Sequence, residues 1–284
     1  MKLMYINGEF TKGGAKEEIE VTDPATEEVL DTVPRGTAED VDAAVRSGNE
    51  AFKSWRKLSA NERATLLHEV ASKVRSNREE IVRLLTLEEG KPVPENDEEL
   101  EWVANTFDYY AELGRHDRGR VIPPGGASQF NFVLKEPYGV VACIVPWNYP
   151  LLLMAWKVAP ALAAGNTVII KPSEMTPLTT LYMAEYCFDG LPAGVVNVIT
   201  GFGAEAGESL VRHPDVPVVA FTGSLATGQR IASRAAPMMK KLHLELGGKD
   251  ATVIAEDADP ELAAKAVAYA ALLNAGQVCT STER

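Results

Sequence analysis

GVVACIVPWNYPLLLMAWKVAPALAAGNTVIIKPSE, residues 139–174, decides the fold. Val140 to Val145 and Thr167 to Ile170 are short, continuous apolar runs, and Leu151 to Ala164 between them has the length and composition of a buried helix. A strand, a covering helix and a second strand make a right-handed parallel unit. The alternation continues towards the C-terminus. Val195–Ile199, Val218–Phe221 and Ala251–Ala255 read as further strands, and Leu178–Phe188, Ala204–Val211 and Leu225–Ala235 as the helices between them. The expected fold class is therefore α/β, a Rossmann-like parallel sheet with flanking helices.

Towards the N-terminus the pattern changes. Met4-Tyr5-Ile6, Asn7-Gly8 and Glu9-Phe10 read as a small hairpin, because Asn-Gly suits a type I′ turn. Ser59-Ala60-Asn61-Glu62 has the form of a capping box, and Leu66, Leu67, Val70 and Val74 follow at helical spacing. Further helices are expected to end near Gly90 and Gly114. Arg115 to Ser128 reads as a linker, and Gln129 to Lys135 as a strand with one polar face.

Composition narrows the function classes. The chain has 284 residues, 46% hydrophobic and 24% charged, values of a globular protein with a sizeable core. A net charge of −12 argues against nucleic acid as a partner, since phosphate binding needs a basic face. The longest apolar stretch is interrupted by Lys157 and Pro160, so no membrane span is expected, and Met1 to Phe10 lacks the apolar core of a signal peptide. Cys143, Cys187 and Cys279 are too few and odd in number for a disulfide framework, which points to a reducing, cytoplasmic setting. His68, His116, His213 and His243 are scattered, with no metal-ligand spacing to the cysteines, and no metal is expected.

In parallel sheets ligands bind beyond the carboxyl ends of the strands. Those ends carry Trp147-Asn148-Tyr149, Lys171-Pro172-Ser173-Glu174, Gly201-Phe202-Gly203 and Thr222-Gly223-Ser224. Gly223 and Ser224 open a helix, whose free N–H groups suit a pyrophosphate. Lys171 and Glu174 sit where ribose hydroxyls could pair with an ammonium and a carboxylate; a carboxylate there repels a 2′-phosphate and favours NAD over NADP. Each motif also has an ordinary reading, a helix cap or a loop before a helix start. The usual Gly-x-Gly-x-x-Gly fingerprint is missing after the first strand, and Gly201-Phe202-Gly203 is a weak echo of it.

Cys279 stands in a Gly-containing loop after a helix expected at Pro260 to Leu273. It reads equally as a nucleophile whose pKa a dipole or cation would lower and as a buried small hydrophobe. Cys143 in a strand and Cys187 in a helix read as the latter. Glu245, in Leu244-Glu245-Leu246-Gly247-Gly248, reads as a general base raised by an apolar surround or as a solvent-facing residue on an edge strand. A cysteine hydrolase would need a histidine at Cys279, and His243 is the one candidate.

Taken in order, Pro146-Trp147-Asn148-Tyr149-Pro150, Lys171-Pro172-Ser173-Glu174, Phe221-Thr222-Gly223-Ser224, Glu245-Leu246-Gly247-Gly248-Lys249 and Gly276-Gln277-Val278-Cys279 resemble the NAD(P)-dependent aldehyde dehydrogenase superfamily along the whole chain. The resemblance implies Cys279 as nucleophile, Asn148 as the oxyanion amide, Glu245 as the base that activates water, and Lys157 as a proton-relay lysine. It implies Trp147, Lys171, Ser173, Glu174, Gly203, Phe221, Gly223, Ser224 and Leu246 at NAD. It implies a small-molecule aldehyde as substrate, from the broad group of betaine aldehyde, lactaldehyde and semialdehydes, and a homo-oligomer for the full-length protein. The domain expectation is a helical part of the cofactor domain at 1–118, an oligomerisation strand region at 119–138, the Rossmann-like NAD-binding part at 139–249, and the start of a truncated catalytic domain at 250–284. By the same resemblance the chain is a fragment that stops just after its catalytic cysteine, either active or an NAD-binding piece without turnover.

Overall fold

In a computed structural model, residues 1–116 and 119–284 are described. Asp117 and Arg118, inside the expected linker and at the boundary placed at 118, lie outside the described residues. The central sheet has seven strands. Its parallel part contains β7 (Val140–Ile144), β8 (Thr167–Lys171), β9 (Val196–Val198), β10 (Val218–Gly223) and β11 (Lys241–Leu246), and the N-terminal hairpin of β1 (Met4–Ile6) and β2 (Glu9–Thr11) extends it. The spatial order is β11-β10-β7-β8-β9-β1-β2. The chain runs outward from β7 through β8 to β9, then returns to the other side of β7 for β10 and β11. The order thus reverses between β7 and β10, and a crevice opens at such a point beyond the strand ends.

Alternate residues of the same strand explain why these runs are apolar throughout. Val141 and Cys143 of β7 face one core, while Val140, Ala142 and Ile144 face a second. The first core is built with α2 (Ala60–Ser76), α4 (Val93–His116), α5 (Pro150–Ala163) and α6 (Leu178–Tyr186). The second is built with α1 (Ala38–Trp55), α7 (Glu208–Arg212) and α8 (Leu225–Ala235). Both faces are therefore covered, as the expected parallel sheet requires.

Local signals map onto local structure. Asn7 (φ 57°) and Gly8 (φ 81°) make the left-handed turn of the β1–β2 hairpin. Ser59 Oγ accepts from the Glu62 amide at the start of α2, and the Glu62 carboxylate accepts from the Ser59 amide at 2.7 Å. Gly90 ends α3 (Arg78–Glu89) with φ 82°. α4 ends at His116, two residues past Gly114, and a Cβ on Gly114 would stand 3.3 Å from that of Ala163, so this glycine also serves close packing against α5.

Three expectations change. Ala251–Ala255 forms no strand: Thr252 donates from its amide to Arg284 O at 2.8 Å and Asp250 O accepts from the Glu283 amide at 3.0 Å, so these bonds go to the last residues of the chain rather than to the sheet. The segment Gln129–Lys135 yields a short β6 (Asn131–Val133), exposed on both faces, paired antiparallel with β5 (Arg120–Ile122) inside the expected linker. Ala204–Val211 begins as a π-turn at Gly203–Gly207 before α7. A second hairpin, β3 (Glu18–Thr22) with β4 (Val29–Pro34), lies outside the main sheet. The helix before Cys279 is α9 (Pro260–Leu272), and it buries none of its residues. Among the described residues no helix is long and apolar enough to cross a membrane, and no group of three or more His, Cys, Asp or Glu side chains is arranged to hold a metal ion.

Candidate active site

The crevice at the reversal of strand order has a volume of about 440 Å³. Trp147, Lys171, Ser173, Glu174, Gly203, Phe221, Gly223 and Ser224 all line it, so four separate segments of the chain meet there. Each is placed by a strand end. Lys171 closes β8 with its side chain 3% exposed; Nζ donates to Pro172 O at 2.8 Å and lies 3.4 Å from Glu174 Oε2. Burial holds the Lys171 ammonium below the usual lysine range, against the pull of Glu174. Ser224 Oγ accepts from the Thr227 amide at 3.2 Å, which caps α8 and turns its N-terminus towards the crevice. A Cβ on Gly223 would come within 2.5 Å of the Phe221 ring, so no larger residue fits there. A Cβ on Gly203 would meet nothing within 4 Å and would project into open space. Glu208 binds Arg230 and Arg234 of α8 at 3.0 Å each, which ties α7 to α8, and Glu208 and Arg230 themselves line the crevice. Leu246 is not brought to this wall. It packs on Gly228 of α8, within the second core.

A second constellation gathers beyond the ends of β7, β10 and β11. Asn148 Nδ2 donates to Gln277 O at 2.9 Å, two residues before Cys279. A Cβ on Gly248 would stand 3.2 Å from Cys279 O, which brings the turn after Glu245 against the cysteine. Lys157, 5% exposed, donates to Leu153 O at 3.3 Å and to Thr222 Oγ1. Burial lowers its pKa, and Cys143, Glu245 and Cys279 oppose that through their charges. Cys279, Asn148 and Glu245 therefore share one mouth of the sheet, with Lys157 beneath it.

Two expectations about this mouth change. The Cys279 thiol is pushed up, not down: burial disfavours the thiolate first, and the nearby Glu245 and Asp250 carboxylates add to it, while Lys157 pulls the other way. Glu245 has no apolar surround: β11 is the sheet edge, α8 packs only on the face that carries Leu242, Leu244 and Leu246, and the Glu245 side chain on the opposite face is exposed. Cys143 and Cys187 are buried, and burial pushes both thiols up to about 12. No histidine is among the charges that act on Cys279; His243 lines a separate groove with Trp102, Tyr109, Tyr110, Trp156 and Lys157, about 840 Å³ in volume.

Sequence reading missed a buried polar group under this mouth. Glu89, Lys91, Glu99 and Asn274 are each at most 8% exposed and contact one another or the Asn148 carbonyl. The one local signal was Glu88-Glu89-Gly90-Lys91, three charges at a helix end, which composition alone assigns to solvent.

Comparison with known proteins agrees with this geometry. Residues 10–284 match the aldehyde dehydrogenase family. A chloroplastic aminoaldehyde dehydrogenase of Arabidopsis thaliana is 41% identical over 99% of this chain and 58% of its own length. The crystal structure of an NADP-dependent enzyme of E. coli superposes with a TM-score of 0.98 at 38% identity, over 100% of this chain and 59% of that one. An NAD+ complex of an aldehyde dehydrogenase from Bacillus cereus gives 0.94 at 41% identity, over 99% and 58%. The chain thus spans a little under three fifths of the relatives it matches. With most of its length matched and its strand-end residues gathered as described, the chain belongs to the aldehyde dehydrogenase family.

Proposed function

We propose that this chain provides the nucleotide crevice and the reactive cysteine of an enzyme that oxidises an aldehyde to a carboxylic acid with NAD. The observation that carries this reading is the convergence of Cys279, Asn148 and Glu245 at one mouth beside the crevice. The crevice fits a dinucleotide. It lies where the strand order reverses, Gly203 leaves open space at its rim, and the α8 N-terminus offers amides to a pyrophosphate. Lys171 and Glu174 would hold the adenosine ribose, and the partly exposed Glu174 carboxylate disfavours a 2′-phosphate, which supports NAD over NADP.

In the proposed chemistry the Cys279 sulfur, as thiolate, adds to the aldehyde carbon. The Asn148 amide, with the Cys279 backbone N–H, stabilises the oxyanion that forms. NAD held by the crevice would supply the acceptor for the hydride that leaves this carbon. The resulting acyl group stays on the sulfur as a thioester. Glu245, open to solvent, takes a proton from water, which attacks the thioester and frees the acid and the thiolate. Lys157, between Thr222 and the mouth, is the proposed relay for the proton lost from Cys279.

The aromatic groove that ends on Lys157 is the proposed approach for the aldehyde tail. Trp102, Tyr109, Tyr110 and Trp156 give it aromatic walls, which suit the hydrocarbon part of an aldehyde. The exposed apolar β5–β6 hairpin, with Val121, Ile122, Phe132 and Val133, supports self-association of the full-length protein.

Formation of NADH from NAD and a panel of aldehydes tests this reading. Aldehyde-dependent NADH is expected from the parent and none from Cys279→Ala. Calorimetry should show NAD binding that Lys171→Ala weakens. A parent no more active than Cys279→Ala would reject turnover. Retained NAD binding would then favour a nucleotide-binding module, a reading motivated by α9, which buries none of its residues.

A further inference from the structure

The carbonyl of Asn148 is gripped from beneath. Lys91 Nζ donates to it at 3.4 Å and Asn274 Nδ2 at 2.9 Å. Lys91, whose side chain is fully buried, also donates to Glu89 Oε1 at 3.0 Å and to Glu99 Oε2, and lies 3.8 Å from the centre of the Tyr149 ring. Glu99 Oε1 accepts from the amides of Leu151 and Leu152, at 3.1 and 2.9 Å, and so caps α5, whose own N-cap residue Tyr149 makes no side-chain bond. The segment between Asn148 and α5 is held at both ends by one ammonium–carboxylate pair.

Asn274 carries the same grip to the cysteine loop. Its amide donates to Glu95 Oε2 at 2.7 Å, and its Nδ2 also reaches Glu89 Oε1 at 3.4 Å. It has φ 48°, and Ala275 (φ 53°) and Gly276 (φ 79°) continue the left-handed run. Two successive non-glycine residues in that region are costly and persist only where the surroundings fix them. Gln277 O then receives the Asn148 side-chain amide, which closes a ring of contacts between the two loops.

One cation faces two buried carboxylates here, and Glu89 Oε2 has no partner. Burial first, then the charge of Glu99, raises the Glu89 pKa against the pull of Lys91. Burying charge in this way is weak evidence of a purely stabilising role. The directional bonds converge instead on the two loops that carry Asn148 and Cys279.

We propose that Lys91, Glu89, Glu99 and Asn274 are positioning residues that fix the separation between the Asn148 amide and the Cys279 sulfur. The proposal deepens the function given above and rests on it for its kinetic consequence. A misplacement of about 1 Å at a reacting centre costs on the order of 100-fold in rate. Lys91→Met and Asn274→Ala should therefore each lower kcat at least tenfold, with NAD affinity within twofold of the parent. Their combination should cost little more than the larger single change, because both act on one carbonyl. Glu89→Gln, which keeps the oxygen that accepts from Lys91 and Asn274, should retain kcat, whereas Glu89→Ala should lose it.

Amide hydrogen exchange on the full chain gives the readout that does not depend on turnover. Asn274→Ala should speed exchange at Leu151 and Leu152 as well as at Val278 and Cys279, with β8 unchanged. Faster exchange confined to residues 274–279, or unchanged kcat in both variants, would overturn the proposal. If Lys91→Met fails to fold, Asn274→Ala and the two Glu89 variants decide. A parent without aldehyde oxidation would reject the function proposed above, and exchange at Leu151 and Leu152 would still decide the coupling.

Discussion

Cys279 lies half-buried beside two carboxylates, and its thiol is raised by burial and by Glu245. Alkylation by iodoacetamide should therefore keep accelerating above pH 8.5, the usual midpoint of about 8.5 for a free cysteine. Glu245→Gln removes one of the negative charges that oppose the thiolate, so it lowers the pKa and should raise the rate at pH 8. A parent rate that levels off below pH 8 would contradict this. Cys143 and Cys187, with thiols near 12, should stay unmodified in the folded chain. The positions of Asn148, Lys171, Glu174 and Cys279 were legible because each follows a recognisable strand or helix. The direction of the Cys279 shift was not, because it depends on which charges the fold brings near. Lys91 was missed for the same reason: its contact at Asn148 lies 57 residues away, and that of Glu89 at Asn274 lies 185 away.

Helix ends show what local pattern decides and what packing overrides. Ser59 and Glu62 cap α2 as their spacing implied, because both partners lie within four residues. Gly90 and Gly114 look alike in sequence but differ in backbone. Gly90 has φ 82°, and a Cβ there would come within 2.7 Å of the Pro24 ring. Gly90→Ala should cost about 1–2 kcal/mol, from the left-handed backbone alone. Gly114 lies within α4, where alanine gains roughly 0.5–1 kcal/mol in helix propensity against its 3.3 Å approach to Ala163. Urea midpoints should fall clearly for Gly90→Ala and stay near the parent for Gly114→Ala; equal losses would refute the distinction. The apolar run Ala251–Ala255 misled because a strand needs a partner strand as well as composition, and its bonds go to residues 283–284.

At the level of the whole molecule, stability should depend on pH through two buried acids. Burial raises Glu88 to about 7 and raises Glu89 as well, each from an ordinary value of 4.5. Between those limits the folded state binds the extra protons, so the slope of unfolding free energy with pH is negative. The contribution is complete below about pH 4.5 and is lost as pH rises through the folded values. Glu89→Gln, which cannot ionise, should flatten the decline in thermal midpoint between pH 5 and 9; an unchanged slope would show that Glu89 does not titrate there. The parallel sheet and its covering helices were readable from period and length. The contribution of β1 and β2 to that sheet was not, because Tyr5 pairs with Val198, far along the chain.

That pairing sets a schedule for synthesis. The β1–β2 ribbon leaves the ribosome early relative to its docking edge on β9, which does not exist until residue 198 has been added. At roughly 5–20 residues per second the wait is on the order of tens of seconds. The ribbon is thus locked in place only after the strands β7, β8 and β9 have been made.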